Sequence, residues 1–157
     1  MPSPAGRVQV RVPHSTEEIT LMDHATAQQF LTTHHRAVLA TRRRDGRPQL
    51  SPVSVGVDAA GRALVSSRET AYKTRNLRRD PRASLCVFDD GFFGPWVQID
   101  GTAEVVALPD AMELLVDYYR RVAGEHPDWA DYRRAMEREQ RVLLRISIDS
   151  AGPDQQG

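Results

Sequence analysis

The period of apolar and polar residues changes several times along this chain, and each change marks an element. Thr26 to His34 places Ala27, Phe30 and Leu31 at helical spacing and predicts a short helix. Ala37 to Thr41 is an apolar run of strand character. Arg44-Asp45-Gly46-Arg47 follows, and Asp-Gly supplies the positive-φ positions of a tight hairpin. Gln49 to Val57, with Val53, Val55 and Val57 alternating, predicts a second strand. A turn over Asp58–Arg62 leads to a third strand, Ala63–Ser67. A short helix over about Thr70–Arg79 ends at Asp80-Pro81, because a residue before proline is driven out of the helical region.

Beyond it, Ala83–Phe88 predicts a fourth strand, Asp89-Asp90-Gly91 a turn, and Trp96–Ala107 a long fifth strand. Gly101 inside that strand marks a bulge or a close backbone approach. Pro109 to Val122 is an amphipathic helix with Met112, Leu115, Val116 and Tyr119 on one face and proline in its first turn. Asp128–Glu139 predicts another helix and Val142–Ile148 a sixth strand. The expected fold is mainly β with peripheral helices: a six-stranded antiparallel barrel, closed so that few edges are exposed. Residues 1–24 are expected to be a flexible arm, 25–150 the domain and 151–157 a disordered tail. A barrel this small is filled by its own side chains, so a ligand is expected outside it, at a subunit seam.

The 157 residues suit one domain, and 40 % hydrophobic with 27 % charged residues is the balance of a folded soluble protein. No run approaches the roughly 20 apolar residues of a membrane helix, so no membrane association is expected. Met1 to Arg7 has no apolar signal core, and a single cysteine, Cys86, rules out an intrachain disulfide; a cytoplasmic location is expected. Cys86 itself, in mid-strand, is expected to be a small buried hydrophobe. With 21 basic and 21 acidic residues the net charge is zero, which argues against a nucleic-acid partner. The balance is locally uneven. From Arg68 to Arg82 six basic residues face two acidic ones, a local sum of 6 − 2 = +4 that suits a small anion.

The chemistry concentrates in Ser66-Ser67-Arg68-Glu69-Thr70-Ala71-Tyr72-Lys73-Thr74-Arg75-Asn76-Leu77. A strand-to-helix junction offers free N–H groups and a partial positive dipole to a phosphate. Lys73 and Asn76 share a helix face, Arg75 can grip a phosphate through two parallel bonds, and Ser66 and Ser67 add hydroxyls. A solvated basic helix is the plainer reading of the same residues. Nothing points to a metal: His34 and His35 are adjacent, His126 has no partner, and a zinc site needs three or four ligands.

Gly46-Arg47-Pro48-Gln49-Leu50-Ser51-Pro52-Val53 together with Lys73-Thr74-Arg75-Asn76-Leu77-Arg78-Arg79-Asp80-Pro81-Arg82-Ala83-Ser84 resembles the pyridoxamine-5′-phosphate-oxidase-like split-barrel family, of FMN-binding split-barrel type. More narrowly it is similar to the actinobacterial F420-dependent branch, the class B deazaflavin- or flavin-dependent oxidoreductases. Ala123–Trp129, Asp131-Tyr132-Arg133 and Arg141–Leu144 resemble the C-terminal half of that branch. The resemblance implies a homodimer with cofactor at the interface, and coenzyme F420, alternatively FMN, as that cofactor. It assigns the phosphate to Lys73 with Arg75 and Asn76 nearby, the tricyclic ring to Ser51, Pro52 and Val53, and a strand-end contact to Ser66. Where close relatives carry an arginine two residues before the lysine, this chain has Ala71, and Arg68 is the candidate replacement.

The implied activity is hydride transfer from reduced deazaflavin to an electron-poor small-molecule acceptor, with the cofactor performing the chemistry. No catalytic side chain is identified. Phe92, Phe93 and Trp96 are candidates to wall the acceptor pocket, with core or dimer packing as the alternative. Tyr118, Tyr119, Trp129 and Tyr132 read as packing. The basic hairpin Arg42-Arg43-Arg44 is a solvated turn or a contact for the anionic tail of F420. Two other functions fit the scaffold: an FMN-dependent oxidase or reductase, and a non-enzymatic carrier of F420, flavin or haem.

Overall fold

The computed structural model of the protein describes residues 22–152 and the backbone of Gln155–Gln156. The expected arm, apart from its last residues 22–24, and most of the expected tail lie outside the described residues. The elements in chain order are α1 (His24–Leu31), β1 (Arg36–Arg42), β2 (Pro48–Ser54), β3 (Gly56–Val57), β4 (Ala63–Arg68) and α2 (Tyr72–Arg79). They continue with β5 (Arg82–Phe88), β6 (Pro95–Val106), α3 (Ala111–Ala123), α4 (Trp129–Arg138), β7 (Arg141–Ala151) and β8 (Gln155–Gln156). One sheet runs β2-β1-β5-β6-β7-β4-β3, all pairs antiparallel, with β8 beside the start of β6.

The mainly-β split barrel is therefore present, with seven strands on the path rather than six. The extra strand comes from a break in the expected Gln49–Val57 strand. Val55 N–H leaves the ladder to bond His35 O at 2.8 Å, and Gly56 then starts β3 against β4. Gly56 lets α3 lie close there: a Cβ would stand 3.2 Å from Val122 Cγ2, a tight contact.

Strand alternation sets the core. Ala37, Leu39 and Thr41 of β1, Ala83, Leu85 and Val87 of β5, and Val97 and Ile99 of β6 point inward and are buried. They meet Val55, Val65, Leu144 and Ile146 in the barrel interior. A second cluster, Leu64, Leu115, Val116, Tyr132, Met136 and Leu143, packs α3 and α4 against the back of β4 and β7. Each fully buried leucine contributes roughly 1.5–3 kcal/mol. Cys86 falls on the outward phase of β5 and is exposed, which corrects the expectation that it is buried. Gly101 fulfils both readings made of it: the β6–β7 register shifts at Asp100/Gly101, and a Cβ there would collide with the Ser147 carbonyl.

The barrel does not close through hydrogen bonds. β2 ends the sheet path, yet it comes within 8 Å of β4 between Cα atoms. That unpaired seam, flanked by α2 and α3, is where the chemistry-bearing residues collect.

Candidate functional site

The seam is built by β2, β4, α2 and the first residue of β7. Tyr118 of α3 holds it: its hydroxyl donates to the Ser54 carbonyl at 2.8 Å. Arg121, one turn on, donates to the Val57 carbonyl at 3.0 Å. Burial pushes the Tyr118 phenol up, partly offset by the Ser66 backbone and by the charge of Arg141. Ser54, Ser66, Tyr118 and Arg141 thus occupy one neighbourhood.

Lys73 joins them. It is the protein's only lysine, among 21 basic residues. Burial pushes its ammonium below the ordinary lysine range, and the neighbouring Arg141 charge pushes it further. Among the described residues Lys73 has no carboxylate partner. Arg68, the expected stand-in at the phosphate, is instead paired with Glu139 at 2.9 Å. Arg141, its cross-strand neighbour in the β4–β7 ladder, is the residue that lies close to Lys73.

Two of the expected ligand residues are turned inward. Ser67 is buried, and its hydroxyl meets Thr74 Oγ1 at 2.8 Å. Asn76 is buried, donates to Thr41 Oγ1 at 3.1 Å and accepts from Arg79 at 3.1 Å. These contacts fix α2 to β4 and β1, so both residues hold the helix that carries Lys73. Ser51, Pro52 and Val53 lie along β2 at the seam, and Ser66 at the end of β4 shares the side of the sheet that faces α3.

Arg75 belongs to a second feature, on the other side of α2. A cleft of about 570 Å³ runs between α2 and the β1–β2 hairpin, lined by Arg43, Arg44, Gln49, Tyr72, Arg75, Asn76 and Arg79. Its lining holds four arginines and no carboxylate. The neighbouring Arg47 and Arg78 are each neutralised, by Asp45 at 3.0 Å and Glu69 at 2.8 Å. Arg43 donates to Gln49 at 3.2 Å, and Arg79 donates to the Arg42 carbonyl at 2.7 Å.

The aromatic candidates sit elsewhere in the chain. Phe92 and Phe93 are 65 % and 75 % exposed and contact each other edge to face on the β5–β6 turn. Trp96 lines a groove against α1 with Met22, Phe30 and His34. In register, Trp96 opposes Phe88, whereas Thr41, the anchor of α2, opposes Ala83. The separation is five residues, about 17 Å along the strand. One chain does not bring these rings to the basic helix. Tyr119, Trp129 and Tyr132 pack with His126 in a cluster of rings on α3 and α4, as expected of packing residues.

Sequence reasoning missed Arg141 and the role of Tyr118. Both reach the seam through contacts distant in the chain, and only the pairing of β4 with β7 would have exposed the arginine. Among the described residues no group of three potential metal ligands comes together, and no helix is long and apolar enough to cross a membrane.

Comparison with known proteins agrees with this architecture. The family model described as Pyridoxamine 5′-phosphate oxidase matches residues 24–152. A solved structure of a conserved hypothetical protein from Mycobacterium tuberculosis is 28 % identical over 83 % of each chain, with a TM-score of 0.68. An F420 reductase is 20 % identical over 80 % of this chain and 94 % of its own, with a TM-score of 0.62. A haem-binding protein from Mycobacterium smegmatis is 19 % identical over 83 % of this chain and 53 % of its own, also at 0.62. The last two likenesses show a common fold. The seven-strand split barrel and the match over nearly all its described residues make this chain a member of the pyridoxamine 5′-phosphate oxidase family.

Proposed function

We propose that the protein is an oxidoreductase that uses the deazaflavin F420 to reduce an electron-poor small organic molecule. The observation that carries this reading is the cleft of four arginines without a carboxylate, across α2 from the Lys73 seam. FMN ends at its phosphate. F420 continues past its phosphate into a chain of carboxylates, which matches the charge of the cleft.

In this reading Lys73 holds the phosphate, β2 from Ser51 to Val53 backs the ring, and Arg43, Arg44 and Arg75 meet the acidic tail. When bound and reduced, the deazaflavin supplies a hydride to the acceptor. The chain's own residues bind, orient and shield: Tyr118 fixes the backbone of the seam, while Ser67 and Asn76 hold α2 in place.

The reading includes a homodimer. The outward phase of β2, β1 and β5 presents Leu50, Pro52, Val38, Ala40 and Cys86 on one face, and Leu50 is 60 % exposed. A second copy covering that face would remove it from water.

The test is a fluorescence titration of purified protein with long-tailed F420, with its tail-less phosphorylated chromophore, and with FMN. Replacing Arg43, Arg44 and Arg75 together with glutamine should weaken long-tailed F420 about tenfold, since each exposed pair contributes well under 1 kcal/mol. The tail-less chromophore should bind both proteins alike. Tighter binding of FMN than of F420 rejects the deazaflavin in favour of FMN, and a triple variant indistinguishable from wild type removes the arginine cleft as the tail site and with it the observation that carries the reading.

A further inference from the structure

We propose that Lys73 is a site of covalent modification by acyl phosphates, and that the acyl group switches cofactor binding off. The switch rests on the reading above, in which Lys73 holds the cofactor phosphate, and it concerns the control of that residue.

Lys73 is one lysine among 21 basic residues, the other 21 − 1 = 20 being arginine. A guanidinium keeps its proton at any working pH, whereas an amine becomes a nucleophile once its proton is lost. The chain therefore carries a single nucleophilic side-chain amine, and the fold sets it where the neutral form is favoured. Lys73 is half-buried in the first turn of α2, where the partial positive charge of the helix N-terminus opposes a cation. Burial first, and the charge of Arg141 second, hold its ammonium below the ordinary lysine range.

The carboxylates nearby are committed elsewhere or stand at the surface. Glu69 pairs with Arg78 at 2.8 Å. Glu139 is divided between Arg68 at 2.9 Å and Arg141 at 3.4 Å. Glu137 lines a pocket with Glu69 and Arg141 and is exposed. Among the described residues none of the three pairs with Lys73.

An acyl phosphate carries its reactive carbon directly beside a phosphate, so the anion that the seam is read as holding would deliver that carbon to the amine. The Lys73 Nζ lone pair forms a bond to the carbonyl carbon. The bond from that carbon to the phosphate oxygen breaks, inorganic phosphate leaves with the electron pair, and the Nζ proton passes to water. No electron is gained or lost overall. The product is a neutral amide, which no longer offers a charge to the cofactor phosphate.

The experiment treats ligand-free protein with acetyl phosphate and locates the acetyl groups by peptide mass spectrometry. An N-terminally blocked peptide of residues 69–79 carries the same lysine without the fold and serves as reference. Lys73 should be acetylated several-fold faster in the protein than in the peptide, and inorganic phosphate should slow the protein alone. Acetylated protein should bind the preferred cofactor, F420 or FMN, about ten- to a hundredfold more weakly. Lys73→Arg keeps the charge and has no amine, so its affinity should be the same before and after treatment. A protein rate equal to or below the peptide rate overturns the proposal. If Lys73 resists acetylation while Lys73→Gln loses the cofactor, the switch falls and the cofactor reading stands. If Lys73 is acetylated and affinity does not change, the switch falls together with the phosphate role of Lys73.

Discussion

Asn76→Ala separates a structural from a ligand-binding role for a residue that the sequence marks as a phosphate contact. In the fold its amide is spent on Thr41 and Arg79, at 3.1 Å each. Truncation leaves Thr41 Oγ1, in a residue 1 % exposed, without its donor. An unsatisfied buried hydroxyl costs about 1–3 kcal/mol. Arg79 loses one acceptor but keeps the Arg42 carbonyl, so that loss is small. Alanine returns roughly half a kcal/mol of helix propensity. The net cost is about 1–3 kcal/mol, and at 2–4 °C per kcal/mol for a chain of this size the melting temperature should fall by about 2–12 °C. Scanning calorimetry of the ligand-free protein measures it. Asn76→Asp should retain most of the stability, since an aspartate still accepts from Arg79 and the Thr41 hydroxyl can turn to donate. An Asn76→Ala protein that melts at the wild-type temperature yet binds cofactor poorly refutes the structural assignment and restores Asn76 to the ligand.

Gly101→Ala should cost about 1–3 kcal/mol by overpacking, because the new methyl meets the Ser147 carbonyl and Ile146 Cγ2; urea melts with an unchanged midpoint would contradict the close approach. The Asp80 carboxyl is held down to about 2 from its ordinary 3.8, first by the Arg82 side chain and then by the Arg82 N–H. A depressed folded-state value gives stability that is present above the ordinary value and lost as pH falls towards 2. Asp80→Asn should therefore flatten the acid limb of the stability curve between about pH 4 and 2, and an unaltered limb would show that the pair does not persist in solution. Leu50→Asp should shift the mass measured by light scattering from dimer to monomer, and a mass that is monomeric already in wild type removes the dimer from the reading.

Much of the fold was legible because period reports partners. The runs around Leu39, Leu85 and Ile99 alternate cleanly, since one face of each strand is core. Where period misled, a tertiary contact had intervened. Val53, Val55 and Val57 alternate as one strand, but His35 captures Val55 and splits it. Cys86 reads as core by residue type, whereas its phase between buried Leu85 and Val87 turns it outward. At the site, the segment around Lys73 was visible as a dense basic stretch. The division of labour within it was not, because Ser67, Thr74 and Asn76 face strands that the sequence does not place beside them. Arg141 stayed hidden for the same reason: its value depends on which strand pairs with β4.

The edge strand β2 carries proline at positions 48 and 52. Neither residue has an N–H, and a proline sits in a ladder only where its nitrogen faces away from the paired neighbour. Positions 48, 50 and 52 point their backbone groups the same way, so two of those three outward donors are missing. A foreign strand arriving at this margin finds acceptors but few donors. The other margin, β3, is two residues long. Growth of the sheet sideways into a continuous ribbon is thus blocked at both ends, while Leu50 and its apolar neighbours remain available across the flat of the sheet. In the proposed dimer the contact would then be face-on, across the apolar outer face of β2, β1 and β5, rather than edge to edge.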